Sequence, residues 1–285
     1  MAHSFNRCKL SKMEPDLISI LLGSFTGIVL ALTGAGGAII AVPLLMFSLH
    51  LTVAEAAPIG LLAVGLSAAI GALLAFRQKI VRYRAAMLIA ATGALTAPIG
   101  IWAAQQLPNA PLTLLFACVL IYVAIRMFHQ SLDENNKDVR IMADPPCRLD
   151  EIGERLVWNI PCFRALTLSG TMAGFLSGLL GVGGGFVIVP TLKKVTNLNM
   201  QSILATSLTI IALVSLTGVV SAILIGALIW SIAFPFCGGT IAGILVGRLF
   251  AHRFAGHRLQ QSFAILAISV AIGLIVKVVW NAFFS

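Results

Sequence analysis

The sequence has 285 residues, of which 59% are hydrophobic and 10% are charged, and its formal net charge is +9. Soluble domains carry about 25% charged residues, so this composition excludes a soluble protein. The Lys and Arg residues cluster in short loops between apolar runs, which is typical of cytoplasmic loops and does not indicate nucleic-acid binding. We therefore expect an all-α integral membrane protein that crosses the lipid bilayer several times.

The chain is predicted to divide into two membrane-embedded halves joined by a polar segment. Residues 1–14 form a polar tail, 15–128 the first half, 129–161 a polar linker and 162–285 the second half. Each half carries four apolar segments, which are 17–49, 53–76, 85–106 and 112–128 in the first and 164–192, 200–224, 227–248 and 259–280 in the second. All are expected to be helical, because lipid offers backbone groups of an open chain no other partner.

The two halves are predicted to be an internal duplication. A shift of 147 residues aligns 15–128 with the second half without a gap, and seven of the ten glycines in that range then fall on glycines. In the same alignment Pro43 falls on Pro190. Self-similarity at a fixed offset indicates a repeated structural unit, so both halves should share one fold.

The first segment of each half is too long for a single span. Residues 17–49 would measure about 50 Å as one helix, whereas the hydrocarbon core is about 30 Å thick. A glycine cluster interrupts the segment and a proline follows it. We predict a broken, re-entrant hairpin that returns to its own side of the membrane.

Positive charge lies on opposite loops in the two halves. Loop 76–84 carries four Lys or Arg residues and its equivalent 224–231 carries none, whereas loop 248–258 carries three and its equivalent 105–111 carries none. Because cytoplasmic loops are enriched in Lys and Arg, we predict two inverted-topology repeats with the linker 129–161 in the cytoplasm. The alternative is eight ordinary spans with parallel halves.

Two glycine clusters are the strongest candidates for a substrate-binding site. Their members are Thr33, Gly34, Gly36 and Gly37 in the first half and Gly181, Gly183, Gly184 and Gly185 in the second. A helix that starts after such a break presents free N–H groups and the positive end of its dipole, which suits an anion. The alternative is that the glycines only allow helices to pack closely.

The same stretches resemble a known family. GAGGAIIAVP at 34–43 and GVGGGFVIVP at 181–190 are similar to the sulfite exporter TauE/SafE family of membrane transporters. The resemblance implies a carrier in the bacterial cell inner membrane that moves sulfite, a sulfonate such as sulfoacetate, or a similar sulfur anion by alternating access. An anion channel, or a carrier for a non-sulfur anion, is the alternative, since the residues alone indicate only an anion.

Two hydroxyl residues extend the predicted site. Thr206 and Ser207 lie in a segment that also resembles the family pattern, and their hydroxyls could bind an anion. Ser and Thr in helices also bond the carbonyls of their own helix, which is the competing interpretation. Glu55 is a candidate for proton coupling or a plain interfacial residue.

Other classes of function have little support. No Asp lies within the apolar segments and no HExxH motif occurs, so we expect neither an intramembrane protease nor a metal or other cofactor. The expected partners are a small anionic substrate and the bilayer, with no nucleic acid; a homodimer is a candidate assembly. The five cysteines form no CxxC pair and are predicted to be small apolar residues without a shared task.

Overall fold

The computed structural model describes residues 17–31, 38–133, 147, 159–196, 198–254 and 257–284, and the regular elements within them are helices. In chain order these are α1 Leu17–Ala31, α2 Ala38–Ser48, α3 Val53–Arg77, α4 Tyr83–Gln106, α5 Asn109–Asp133, α6 Ile160–Leu180, α7 Gly185–Val195, α8 Met200–Leu224, α9 Trp230–Phe254 and α10 His257–Phe284.

Five helices in these ranges are long and apolar enough to cross a membrane. They are α3, α4 and α8 over their full length, Asn109–Arg126 of α5 and Trp230–Gly247 of α9. Shorter apolar helices are α1, Ile39–Ser48 of α2 and Ile265–Trp280 of α10. The prediction of an all-α, multi-pass membrane protein is confirmed.

Polar side chains set where two of the long helices begin. Thr52 and Glu55 form a capping box on α3, in which the Thr52 hydroxyl accepts from the Glu55 N–H and the Glu55 carboxylate accepts from the Thr52 N–H at 2.9 Å. Asn199 caps α8 by accepting from the N–H of Ser202 at 2.8 Å. These side chains satisfy backbone donors that a helix start leaves without a partner.

The helix boundaries repeat along the chain. Helices α2 and α7 both have 11 residues, and their first residues, Ala38 and Gly185, lie 147 positions apart. The same offset separates the first residues of α3 and α8, which both have 25 residues. It also separates the start of α4 at Tyr83 from the start of α9 at Trp230.

Glycines allow the closest helix contacts. Helix α6 packs along α4 in the same direction, with Gly174 against Gly93 and Gly178 against Ala97. A Cβ at Gly178 would collide with the carbonyl oxygen of Ala97. Helix α1 packs along α9 in the same way, with Gly23 against the backbone of Phe236. Small residues at such crossings let two backbones approach closely, which is how helices associate in membranes.

One end of the helix assembly, which we call the Glu55 face, holds the starts of α3 and α5 and the ends of α2 and α4. The N–H of Val53 donates to the side-chain oxygen of Asn109 at 3.2 Å. The later part of α10 reaches the same face, since the Lys277 ammonium donates to the carbonyl of Met46 at 3.5 Å.

The opposite end, which we call the Arg82 face, holds the end of α3 and the starts of α4 and α8. The N–H of Arg82 donates to the hydroxyl of Thr206 at 3.2 Å, and Ala75, Val81 and Ala205 pack together beside it. Helix α3 therefore runs from the Glu55 face to the Arg82 face, and α8 runs back alongside it in the opposite direction.

A disulfide closes the start of α6 onto the end of α7. Cys147 and Cys162 are bonded with their Cα atoms 5.0 Å apart, and the N–H of Cys147 donates to the carbonyl of Val195 at 3.1 Å. Since α7 leads within a few residues to α8, both ends of the 160–195 segment lie on the Arg82 face. The expectation that the cysteines share no task is wrong for these two, because the fold brings together residues that no spacing motif links.

Candidate functional site

The break between α6 and α7 is built from glycines in a conformation that other residues rarely adopt. Gly181, Gly183 and Gly184 have φ angles of 73°, 73° and 68°, in the left-handed region that favours glycine. The N–H of Gly181 donates to the carbonyl of Ser177 at 2.8 Å and closes α6. Gly184 is the N-cap of α7 and provides no side chain to cap it. We call residues Gly181–Gly185 the glycine turn.

The glycine turn and the residue after it leave a row of backbone donors unused. No acceptor in the described part of the chain bonds the N–H groups of residues 182–186, and all five residues are buried. The first paired N–H groups of α7 are those of Val187 and Ile188, which donate to the carbonyl of Gly184 at 3.0 and 3.2 Å. Buried backbone donors are almost always paired, so this row, at the positive end of α7, is suited to hold the oxygens of an anion.

The walls around the glycine turn are apolar and come from the middle of α3 and α8. Gly181 lies against Ala57, and Gly184 against Ala173 of α6. A Cβ at Gly183 would lie 2.7 Å from Val64 and 3.0 Å from Ile211. These contacts place the free N–H groups at the junction of α3, α6, α7 and α8, where low polarity strengthens any hydrogen bond to a charged ligand.

The two predicted hydroxyl residues of α8 lie one to two turns from that junction, towards the Arg82 face. Ser207 precedes Ile211 by one turn and so shares its face of the helix, but its hydroxyl donates to the carbonyl of Leu204 at 2.8 Å. The Thr206 hydroxyl accepts from the N–H of Arg82. Both residues are fully buried. Ser207 thus lies on the same face of α8 as Ile211, and the Thr206 hydroxyl is bonded to the neighbouring backbone.

The first glycine cluster, with Thr33, Gly34, Gly36 and Gly37, lies outside the described residues. Helix α2, which follows it, does approach the glycine turn. A Cβ at Gly60 of α3 would lie 2.9 Å from Val42 of α2 and 3.2 Å from the carbonyl oxygen of Gly181. Helix α2 and the glycine turn that precedes α7 therefore meet on the same stretch of α3.

Two serines that the sequence analysis did not single out stand close to this arrangement along their helices. Ser177 precedes Gly181 by one turn of α6, and Ser215 follows Ile211 by one turn of α8. Both are fully buried, and neither hydroxyl has a hydrogen-bond partner in the part of the chain that the structure describes. Buried hydroxyls usually have a hydrogen-bond partner, and where the protein provides none, a bound water or ion can be that partner. Their signal in the sequence is weak, because serine is common in apolar helices.

Three further polar side chains have structural partners. Glu55 caps α3, the Ser67 hydroxyl donates to the carbonyl of Ala63 at 2.6 Å, and Arg126 donates to the Tyr122 hydroxyl at 2.9 Å. Across the residues described, no cluster of three His, Cys, Asp or Glu side chains could hold a metal ion.

Comparison with known proteins agrees with this architecture. The model of the sulfite exporter TauE/SafE family matches residues 19–274. A probable membrane transporter protein of Xylella fastidiosa (strain 9a5c) is 30% identical over 273 residues, covering 94% of this chain and 97% of its own length. The probable membrane transporter protein YunE of Bacillus subtilis (strain 168) is 24% identical and covers 93% of this chain and 99% of its own length. No solved structure matches the chain.

The family model covers most of the chain, and the relatives align over nearly their whole length. Both findings agree with a fold whose helices are long enough to span a membrane. The chain belongs to the sulfite exporter TauE/SafE family and is a membrane transporter.

Proposed function

We propose that this protein is a carrier for a small sulfur-containing anion, such as sulfite or a sulfonate of the sulfoacetate type, and that it works by alternating access. The observation that carries the proposal is the row of buried N–H groups at residues 182–186, which have no acceptor among the described residues. Such a row binds an oxoanion through hydrogen bonds and the dipole of α7. The choice of a sulfur compound rests on the family name. The preference for an anion rests on the backbone N–H groups.

Inverted repeats would provide the two alternating states. The common offset of 147 between helix starts supports a duplication, and the opposite directions of α3 and α8 support its inversion. The α6–α7 segment begins and ends on the Arg82 face, as a re-entrant hairpin does. Two inverted halves can rock about one central site, which opens it to each side in turn.

The orientation in the membrane follows from charge. The Arg82 face carries most of the basic residues of the described chain, namely Arg77, Lys79, Arg82, Arg84, Arg164, Lys193 and Lys194. The Glu55 face carries Glu55 and Lys277. We therefore assign the Arg82 face to the cytoplasm. The family resemblance to bacterial transporters supports the cell inner membrane as the location.

The proposed binding site lies where both broken segments meet. The N–H groups of the glycine turn would hold the anionic head, and the residues Thr33, Gly34, Gly36 and Gly37 would present the equivalent donors from the first half. Apolar walls from α3 and α8 would accept the small organic part of a sulfonate. Ser207 is placed to offer its hydroxyl if the bond to Leu204 is exchanged for one to substrate.

Binding by the purified protein tests the proposal. The melting temperature is measured with sulfite, thiosulfate, sulfoacetate, taurine, sulfate and chloride, because a ligand that prefers the folded state raises it. The variant Gly183→Ala puts a methyl group against Val64 and Ile211 and strains the turn. Gly238→Ala is the matched control, since nothing lies within 4 Å of a Cβ at that position.

We expect a sulfur anion to raise the melting temperature of the wild type and of Gly238→Ala, but not of Gly183→Ala. Size-exclusion chromatography verifies that the variants are folded. A shift that survives in a folded Gly183→Ala protein would reject the glycine turn as the site. A shift with chloride alone would favour a carrier or channel for a non-sulfur anion.

A further inference from the structure

We propose that the Cys147–Cys162 disulfide is a reversible redox staple on the cytoplasmic side of the protein, which slows transport when it is closed. The proposal rests on the membrane orientation given above and goes beyond the proposed substrate. It starts from the position of the bond at the Arg82 face, where it links Cys147 to the start of α6 while the Cys147 N–H bonds the end of α7.

The contacts of Cys147 make the junction tight. Its N–H donates to the carbonyl of Val195 at 3.1 Å, and it forms a parallel bridge with Thr196. Cys147 and Cys162 are 0% and 1% exposed and belong to the main hydrophobic core. The disulfide thus adds a covalent link to a packed contact, so that Cys147 and the two ends of the hairpin are held together.

A disulfide is unusual on the cytoplasmic side of a membrane protein, to which this one is assigned. Arg164 lies two residues after Cys162, and Lys193 and Lys194 lie just before the Val195 contact. Such basic residues belong on the cytoplasmic side of a membrane protein. Disulfides in the cytoplasm are rare, and those that form there are usually transient and catalytic or redox-sensing. The charge around the pair therefore indicates a bond that is made and broken during the life of the protein.

Opening the staple is a thiol–disulfide exchange with a cytoplasmic dithiol reductant. One thiolate of the reductant attacks a sulfur of the pair and releases the other cysteine as a thiolate, which takes up a proton. The second thiol of the reductant then resolves the mixed disulfide. The reductant leaves as a disulfide, and two electrons have passed to Cys147 and Cys162, which end as thiols. Since both residues are buried, exchange follows a local opening of the junction.

The disulfide affects transport because the hairpin of α6 and α7 carries the glycine turn. The glycine turn lies at the far end of α6 and α7 from the staple, and the rocking of one half against the other changes the position of these helices. A closed staple holds the two ends of the hairpin together through Cys147 and restrains that motion. The first half has Pro15 at the position equivalent to Cys162, so the staple acts on one half only.

Two measurements test the staple independently of the substrate. Cells are lysed with an alkylating reagent to block free thiols, and the peptides that contain residues 147 and 162 are mapped by mass spectrometry with and without prior oxidation by diamide. Hydrogen exchange of the purified protein is then followed for peptides spanning 181–195 before and after reduction. We expect diamide to increase the amount of the disulfide-linked peptide that joins residues 147 and 162. We expect hydrogen exchange in residues 181–195 to become faster on reduction.

Flux of sulfite in proteoliposomes tests the regulation. We expect reduction to raise the wild-type rate about fivefold, at the low end of coupling between two sites. Cys147→Ser and Cys162→Ser should show the raised rate without reductant, and Cys118→Ser, which removes an exposed free cysteine, should behave as the wild type.

Failure of this proposal is distinct from failure of the proposed function. Absence of the linked peptide even after diamide, or equal hydrogen exchange in both redox states, would overturn the staple whatever the substrate is. Flux that is present but insensitive to reduction would also overturn it and leave the carrier intact. A linked peptide with redox-dependent exchange but no sulfite flux would retain the staple and reject the substrate.

Discussion

Gly178 of α6 lies directly against the carbonyl of Ala97 in α4, with no space for a Cβ between the two helices. This contact belongs to a glycine-lined interface that holds the α6–α7 hairpin to the rest of the helix assembly, and it leads to the first prediction.

Gly178→Ala should destabilise the protein by about 1–3 kcal/mol, because the added methyl group forces the two backbones apart. Thermal or denaturant unfolding in detergent measures the effect. Gly238→Ala, where the Cβ enters open space, should be neutral or slightly stabilising, since alanine favours helix over glycine. Equal stability of the two variants would mean that α4 and α6 do not pack as described.

The capping box at the start of α3 predicts a structural role for Glu55. Thr52→Ala should lower the stability by about 1 kcal/mol, since it removes the acceptor for the Glu55 N–H. Thr52→Ser keeps a hydroxyl at this position and should retain most of the wild-type stability. Glu55→Gln should transport with an unchanged dependence on pH, because glutamine can still cap the helix. A lost pH dependence in Glu55→Gln would instead assign this carboxylate to proton coupling.

The hydrogen bond between Arg82 and Thr206 predicts a pair of variants with opposite outcomes. Thr206→Val keeps the shape but removes the hydroxyl that accepts from the N–H of Arg82, and the loss of this part-buried hydrogen bond should cost about 1 kcal/mol. Thr206→Ser restores the hydroxyl and should regain most of the loss. If Thr206→Val is stable but binds substrate more weakly, the hydroxyl contacts substrate after all.

The proposed inverted arrangement predicts which loops face the cytoplasm. His50 and Lys79 are both exposed and both have positive φ angles, 54° and 55°, so they form a matched pair for cysteine labelling. In a background from which all five native cysteines have been removed, Lys79→Cys should react with an impermeant reagent only after the membrane is opened. His50→Cys should react in intact spheroplasts. Reaction of both from the same side would contradict the assignment of the two faces.

Much of the fold could be predicted because its determinants are local. The apolar segment 53–76 became α3, Val53–Arg77, and 200–224 became α8 with the same limits. The long segment 164–192 breaks at its glycines as expected, since three of them need a left-handed backbone. Hydropathy, glycine and proline act within a few residues, so a single sequence displays them.

The features that could not be predicted depend on contacts between distant parts of the chain. Thr206 meets Arg82 across 124 positions, and only the packing of α8 beside α4 brings them together. Cys147 and Cys162 are separated by 15 residues without a recognisable spacing motif. Ser215 is an ordinary serine in the sequence, and its hydroxyl stands out only because the fold buries it without a partner.

The central claim is that a sulfur anion crosses the membrane by way of the glycine turn. The most direct test is counterflow of radiolabelled sulfite in proteoliposomes, in which unlabelled sulfite inside drives uptake of the label. We predict saturable uptake by the wild type and Gly238→Ala and none by a folded Gly183→Ala protein. Uptake by Gly183→Ala equal to that of the wild type, or absence of counterflow with any sulfur anion, would contradict the account.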